Sequence, residues 1–382
     1  MSSVPSRMQA CQLLEYNQPY ELHDVPTPTI SDPYAILVRV AAASFCHTDL
    51  MVQSGLFRSK TPLIPLHEGA GTVVSAGPAV TRCRVGDRVL CHVINNLCGN
   101  CSACTGPEEA NLYCDRVGSA PGISRDGAFA EYMLVDSRTA ARIPDSVDFA
   151  TAAPLACAGG TVWKALLHAG LKPGQWLGVV GAGGGLGHIT VLFAKKMGLK
   201  VVGVDARDEG LGLSRECGAD VVLDARSGKR AVAKEALAAT GGGGVDAVIN
   251  ASGHDDAAAL ACAITRKHGL LVQVAHARLS RAIPFDAILS LTTECFTQMQ
   301  PPTVLIPFRE IIFRDIRVKG TLICSPNELQ DTVDFVGKHN NKVKLTRFSG
   351  LSAVSELFDA AQKGDIIGKA VVDVKDEAAC RL

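Results

Sequence analysis

The sequence predicts a two-domain α/β protein in which a β-rich domain is joined to a doubly wound domain built on a parallel sheet, and three observations carry that reading. Up to about Ala158, short apolar runs alternate with proline and glycine turns, the texture of a strand-rich unit. From about Gln175, unbroken apolar runs alternate with helix-like stretches, which is how a parallel sheet covered on both faces reads. A glycine-rich turn stands between the first of these runs and its helix. With 382 residues, 47% of them hydrophobic, the chain has enough apolar material for more than one core.

In the first part, Ala35-Ile36-Leu37-Val38-Arg39-Val40 and Gly71-Thr72-Val73-Val74 are strands by their β-branched content and flanking turns. In the second, the run Trp176 to Gly181 leads into the glycine turn, a helix runs through Lys196, and Lys200 to Asp205 forms the next strand, completing one βαβ unit. Asp246 to Asn250 and Leu270 to Val274 continue the alternation. The chain closes with a helix from Glu328 to Lys338 and a strand near Ala370-Val371-Val372. The stretch from about Ala277 to Pro307, with Pro301-Pro302 inside it, fits no element and is given no function.

Charge and composition narrow the function. Lys plus Arg and Asp plus Glu both count 38, so no excess of positive charge is available to hold a phosphate backbone, and nucleic acid is excluded as a partner. A small neutral or modestly polar substrate fits better. Apolar stretches are broken by glycine or charge before membrane-spanning length, so no membrane partner is expected. The 14 cysteines follow no signal-like leader and group as ligands, which favours a reducing, cytoplasmic setting. The terminal Cys380-Arg381-Leu382 has the small-basic-leucine form of a peroxisomal address, so the peroxisome stands as the alternative.

Two cysteine-containing sets have the spacing of metal sites. Cys98, Cys101, Cys104 and Cys114 offer four thiolates within a short loop, the donor set of a closed, structural Zn²⁺ site. The second set is dispersed: Cys46 in Cys46-His47-Thr48-Asp49, His67 in His67-Glu68-Gly69, and Cys157 in Pro154-Leu155-Ala156-Cys157. Two thiolates and one imidazole leave a fourth position for water or substrate, the pattern of a catalytic zinc.

The turn Gly181-Ala182-Gly183-Gly184-Gly185-Leu186-Gly187 follows an apolar strand and opens a helix, so its backbone can approach a pyrophosphate lying at the positive helix end. Asp205 ends the next strand, where a carboxylate accepts bonds from both adenosine ribose hydroxyls and repels a 2′-phosphate. NAD is therefore favoured over NADP, with Arg207 arguing in the other direction.

Taken together and in this order, these segments make the chain resemble the zinc-dependent medium-chain alcohol dehydrogenases, in the style of the yeast type, over nearly its whole length. The resemblance implies a GroES-like catalytic domain over residues 1–158, completed by 330–382, and a Rossmann NAD-binding domain over 159–329. It implies one catalytic zinc on Cys46, His67 and Cys157 and one structural zinc on the four-cysteine loop. Thr48 would accept the alcohol proton, Asp49 and Glu68 would be supporting carboxylates, one orienting a ligand imidazole and the other lying behind the metal, and His47 would face the pyrophosphate. The substrate would be a small alcohol, aldehyde or ketone, and the assembly a homo-oligomer of two or four subunits.

The chain departs from the yeast-type pattern at four places. Met51 stands where a relay histidine is usual, and no arginine stands near Pro326. The gap between Cys104 and Cys114 is two residues longer than usual, and Phe57 and Val93 replace pocket tryptophans, which implies room for a substrate larger than ethanol. Two other readings stay open: a zinc-free quinone or enoyl reductase on the same fold, and a non-catalytic zinc- and nucleotide-binding protein.

Overall fold

The structure is a computed structural model that describes residues 4–116, 118–276 and 303–374. Most of the 277–307 stretch and the terminal Cys380-Arg381-Leu382 lie outside the described residues. The chain divides into two compact units, Met1–Lys164 with Leu322–Leu382, and Ala165–Thr321. Neither the β-rich domain nor the parallel-sheet domain breaks at a proline- or glycine-rich linker. The first division falls inside the helix Ala158–Ala169.

The first unit holds strands β1 (Arg7–Gln12), β2 (Glu21–Pro26), β3 (Ala35–Phe45), β4 (Glu68–Ala76), β5 (Arg88–Leu90), β6 (Tyr132–Asp136) and β7 (Ala141–Arg142). The second holds β8 (Trp176–Val180), β9 (Lys200–Asp205), β10 (Val221–Asp224), β11 (Val245–Asn250), β12 (Thr265–Gln273) and β13 (Arg317–Gly320). The chain then returns to the first unit with β14 (Leu345–Ser349) and β15 (Lys369–Asp373).

In the first unit, β14-β15-β3-β4-β5-β7 form one sheet, with β6 also paired to β3. β3 runs five residues past the expected Val40 to Phe45, through Ala41-Ala42-Ala43-Ser44, residues of modest strand propensity. Its far end is held by partners on both sides, Ser44 opposite Glu68 of β4 and Phe45 opposite Ala370 of β15. Pairing has overridden propensity here, and the ends of three neighbouring strands are brought to one place. The stretch before Ala158 corrects the purely strand-like reading. Helical turns at Phe149–Ala152 and Ala153–Ala156 lead into the helix Ala158–Ala169, and Asp148 caps the first by accepting the Thr151 N–H at 2.8 Å.

In the second unit all six strands are parallel, in the order β10-β9-β8-β11-β12-β13. β9 has the expected bounds, and β8 stops one residue short of the expected Gly181. Val201 and Val202 are adjacent, so they point to opposite faces, yet both are 0% exposed. That double burial is what an unbroken apolar run requires. Val180, Val204, Val248, Ile264 and Leu271 belong to the core beneath the sheet. Among the described residues, no helix is long and apolar enough to cross a membrane.

Candidate active site

The register of β3 with β4 and β15 builds the first cluster. Cys46 follows the last residue of β3 and is the N-cap of helix α1 (His47–Gln53). Its N–H donates to Asp49 Oδ2 at 2.8 Å, as in a capping box. The other oxygen of Asp49 lies 3.2 Å from His67 Nδ1, so one buried carboxylate fixes both the turn at Cys46 and the imidazole. His67 immediately precedes β4, and Cys157 sits between the turn Ala153–Ala156 and the helix Ala158–Ala169. Ligand atoms of Cys46, His67, Glu68 and Cys157 all lie within 4.8 Å of one another.

The donor set fits a metal ion on an observation independent of its composition. His67 is 1% exposed, its Nδ1 faces Asp49, and among the described residues its Nε2 has no partner in hydrogen-bond geometry, the Cys46 sulfur lying close by. An orphaned buried nitrogen costs about 1–3 kcal/mol. A cation held between that nitrogen and the two sulfurs would satisfy it. The charge state agrees. A hydrogen bond from the Cys157 thiol holds the Cys46 pKa well below the ordinary thiol value, against burial and helped by the Lys369 ammonium and His67. The same shared proton, with burial, pushes Cys157 well up. Burial alone would lower the His67 pKa, but the Asp49 carboxylate and the Cys46 sulfur outweigh it and leave it raised. A pocket holding this much negative charge around protons exchanges them readily for a divalent ion.

Glu68 turns its carboxylate into the protein. Oε1 accepts the Ala158 N–H at 3.1 Å, and Oε2 lies 2.8 Å from Lys369 Nζ, which also donates to the Phe45 carbonyl at 2.7 Å. Burial raises the Glu68 pKa, with Lys369 opposing. Lys369 escaped the reading of the sequence. Its only signal was a lysine opening the otherwise apolar Lys369-Ala370-Val371-Val372, and only the pairing of β15 with β3 aims it here.

Of the other expected site residues, Thr48 has its Oγ1 3.8 Å from Cys46 Sγ. His47 is exposed at the first position of α1, and Met51 is half-buried one turn further on. Val93 is half-buried and Phe57 exposed.

The four-cysteine loop is the second cluster. Its sulfurs also lie within 4.8 Å of one another, with Cys98 to Cys104 at 3.9 Å and Cys101 to Cys114 at 3.8 Å. Four sulfurs bound at about 2.3 Å from a central zinc sit about 3.8 Å apart along each tetrahedral edge. Both measured edges have that length, including the one that reaches across the lengthened gap to Cys114. Backbone N–H groups led by that of Asn100 lower the Cys98 pKa to about 6, favouring the thiolate a metal needs.

The glycine turn in the second unit has the backbone its sequence requires. Gly181 has φ +81°, and a Cβ on Gly187 would stand 1.9 Å from the Gly181 carbonyl oxygen, so neither tolerates a side chain. Gly184 caps the helix Gly185–Lys196, which Leu186 and Gly187 continue. Asp205 lies directly against this turn. Its Oδ2 accepts the Gly183 N–H at 2.9 Å, and its Oδ1 accepts those of Ala206 and Arg207 at 2.8 and 3.1 Å.

Comparison with known proteins agrees with this architecture. The profile of the alcohol dehydrogenase GroES-like domain matches residues 32–145, and that of the zinc-binding dehydrogenases matches 185–338. An alcohol dehydrogenase of Geobacillus stearothermophilus is 34% identical over 96% of this chain and 100% of its own. The solved alcohol dehydrogenase of Aeropyrum pernix superposes with a TM-score of 0.79 at 28% identity, covering 96% of this chain and 99% of its own. A chain from Sinorhizobium meliloti 1021 solved with NADP bound gives a TM-score of 0.80 at 28% identity, covering 97% and 100%.

Fold and site thus define a zinc-binding, nicotinamide-dependent oxidoreductase with a GroES-like and a Rossmann domain. More narrowly, the chain belongs to the zinc-type medium-chain alcohol dehydrogenase family. Its activity is that of an alcohol dehydrogenase on small-molecule alcohols and aldehydes. The zinc-free reductase and the non-catalytic readings are not favoured.

Proposed function

We propose that this alcohol dehydrogenase oxidises alcohols larger than ethanol with NAD, using a catalytic zinc on Cys46, His67 and Cys157 and a structural zinc on Cys98, Cys101, Cys104 and Cys114. The observation that carries the reading is the orphaned Nε2 of His67 facing two sulfurs, one of them held as a thiolate. A zinc ion there supplies Lewis acidity that lowers the pKa of the alcohol oxygen, and NAD supplies the hydride acceptor.

The chain's own residues do the rest. Asp49 favours one tautomer of His67 by accepting a hydrogen bond from its Nδ1–H, leaving the Nε2 lone pair for a metal. Glu68 sits behind the ligands with its charge balanced by Lys369, so the cluster tolerates the exchange of one ligand for another. The hydroxyl of Thr48 would accept the alcohol proton and release its own proton to water. Met51 cannot carry that proton onward, so the pH profile lacks a histidine relay step. His47, exposed at the first position of α1, is available to a cofactor phosphate.

Asp205, pinned beside the glycine turn, supports NAD over NADP. Phe57 and Val93 support the larger substrate because Val93 fills much less space than an aromatic ring. A homo-oligomer is supported by the edge strand β13, whose four residues are all exposed, and by the helix Phe308–Arg314 beside it in sequence, which exposes Phe308, Ile312 and Phe313.

The test is zinc content per subunit together with NAD-linked turnover, in the native chain and in Cys46→Ser. Two zincs falling to about one, with turnover lost, support the assignment. One zinc in both proteins, with turnover retained in the variant, would remove Cys46 from the chemistry.

A further inference from the structure

The helix Asp208–Glu216 opens shortly after Asp205, and its third residue, Gly210, is buried. A Cβ on Gly210 would stand 2.5 Å from both Cγ and Oδ1 of Asp205 and 2.8 Å from Oδ2. No side chain fits there unless the carboxylate moves. The glycine turn meets the same residue: a Cβ on Gly183 would stand 2.1 Å from Gly210 Cα. The carboxylate of Asp205 therefore lies in a slot, with the Gly183 N–H on one oxygen, two further N–H groups on the other, and bare backbone of Gly210 against its carbon.

We propose that Gly210 is a positioning residue for Asp205, and through it a determinant of NAD over NADP. The proposal rests on the reading that Asp205 receives an adenosine ribose hydroxyl. An ionised carboxylate has about four acceptor sites. Backbone N–H groups take three of them, so one direction, on Oδ2, is left fixed and free for a single ribose hydroxyl. A methyl group at position 210 turns the carboxylate off the Gly183 N–H. The ribose then loses an aligned acceptor, and the charge that repels a 2′-phosphate moves away. Arg207, whose Nε lies 3.6 Å from Asp205 Oδ1, becomes free to pair with that phosphate.

The experiment titrates NADH and NADPH by fluorescence into the zinc-loaded full chain, comparing native protein with Gly210→Ala, Gly212→Ala, Asp205→Ser and the Asp205→Ser/Gly210→Ala double variant. Gly212 lies in the same helix, and its Cβ would meet nothing within 4 Å, so it controls for the alanine itself. Gly210→Ala should raise the Kd for NADH about tenfold, the loss of one charge-assisted hydrogen bond, and leave that for NADPH unchanged or lower. Gly212→Ala should change neither.

In the Asp205→Ser background the alanine has no carboxylate to displace, so its effects on affinity and on thermal midpoint should both vanish. That comparison decides the matter even if Gly210→Ala alone folds poorly. Equal weakening of both cofactors, or an undiminished cost of the alanine in the Asp205→Ser background, would overturn the proposal. If Asp205→Ser leaves the NADH to NADPH ratio unmoved, the ribose reading itself fails and takes the proposal with it.

Discussion

Lys369 Nζ stands 2.8 Å from Glu68 Oε2, both side chains are almost wholly buried, and the two residues belong to strands on opposite sides of β3. The pair closes the inner side of the Cys46, His67, Cys157 cluster. Burial lowers the Lys369 pKa, but Glu68 and then the Cys46 sulfur outweigh it and keep the ammonium charged. Removing one partner leaves an uncompensated charge, which typically costs about 3–5 kcal/mol.

Lys369→Met should therefore destabilise the fold sharply, while Lys369→Met combined with Glu68→Gln should recover much of the loss. The thermal midpoints of the two single variants and the double variant check this. Additive losses would show that the pair is not coupled.

The long gap before Cys114 makes a separate claim. Its sulfur closes a tetrahedral edge at 3.8 Å, so the loop absorbs the two extra residues without moving the donor. Cys114→Ser should lower zinc content by about one per subunit while Cys46→Ser removes a different ion, and the double variant should hold none. Elemental analysis of the three proteins decides it; full zinc in Cys114→Ser would exclude that residue.

These predictions draw unequally on the sequence, and the reason is physical. The glycine turn, β8 and β9 were legible because a parallel strand buried on both faces leaves an unbroken apolar run, and a backbone that approaches a phosphate excludes side chains. Cys46, His67 and Cys157 stood out by residue type and local neighbours, although nothing local says that they meet. Lys369 was not legible. Its role comes from a strand pairing more than three hundred residues apart in the chain. The turns from Phe149 to Ala156 were missed because alanine and proline there resemble the punctuation between strands. Gly210 looked like one more helix residue until the carboxylate it accommodates was in place.

His92 gives a pH dependence of its own. It is fully buried; its Nδ1 lies 3.0 Å from the Ile94 nitrogen and 3.2 Å from the Ile94 carbonyl oxygen, and its Nε2 lies 2.9 Å from the Cys324 carbonyl. Burial lowers its pKa, with those backbone contacts opposing only in part. The unfolded chain takes up this proton near pH 6.5 and the folded chain at lower pH. The stabilisation is thus complete above about pH 6.5 and is lost as pH falls toward the folded value, by at most about 1.4 kcal/mol per pH unit. His92→Gln should flatten the fall in thermal midpoint between pH 7.5 and 5.5 relative to native protein. An identical slope in both proteins would mean that His92 takes no part.

The substrate argument turns on a single volume. Val93 is half-buried three residues beyond Leu90, the last residue of β5, in the segment whose backbone is fixed by His92. Filling that position with an indole while the segment stays anchored must remove space from whatever the side chain faces. Val93→Trp should therefore lower kcat/KM for benzylic and six-carbon alcohols by about 10- to 200-fold, the range for a mismatch in an apolar pocket. The value for ethanol should hold or rise, because a short substrate does not reach the filled volume. Zinc content should be unchanged, which separates lost room from lost metal. Equal losses on ethanol and on the larger alcohols would mean that Val93 does not line the substrate space, and the inference of a roomy pocket would lose its main support.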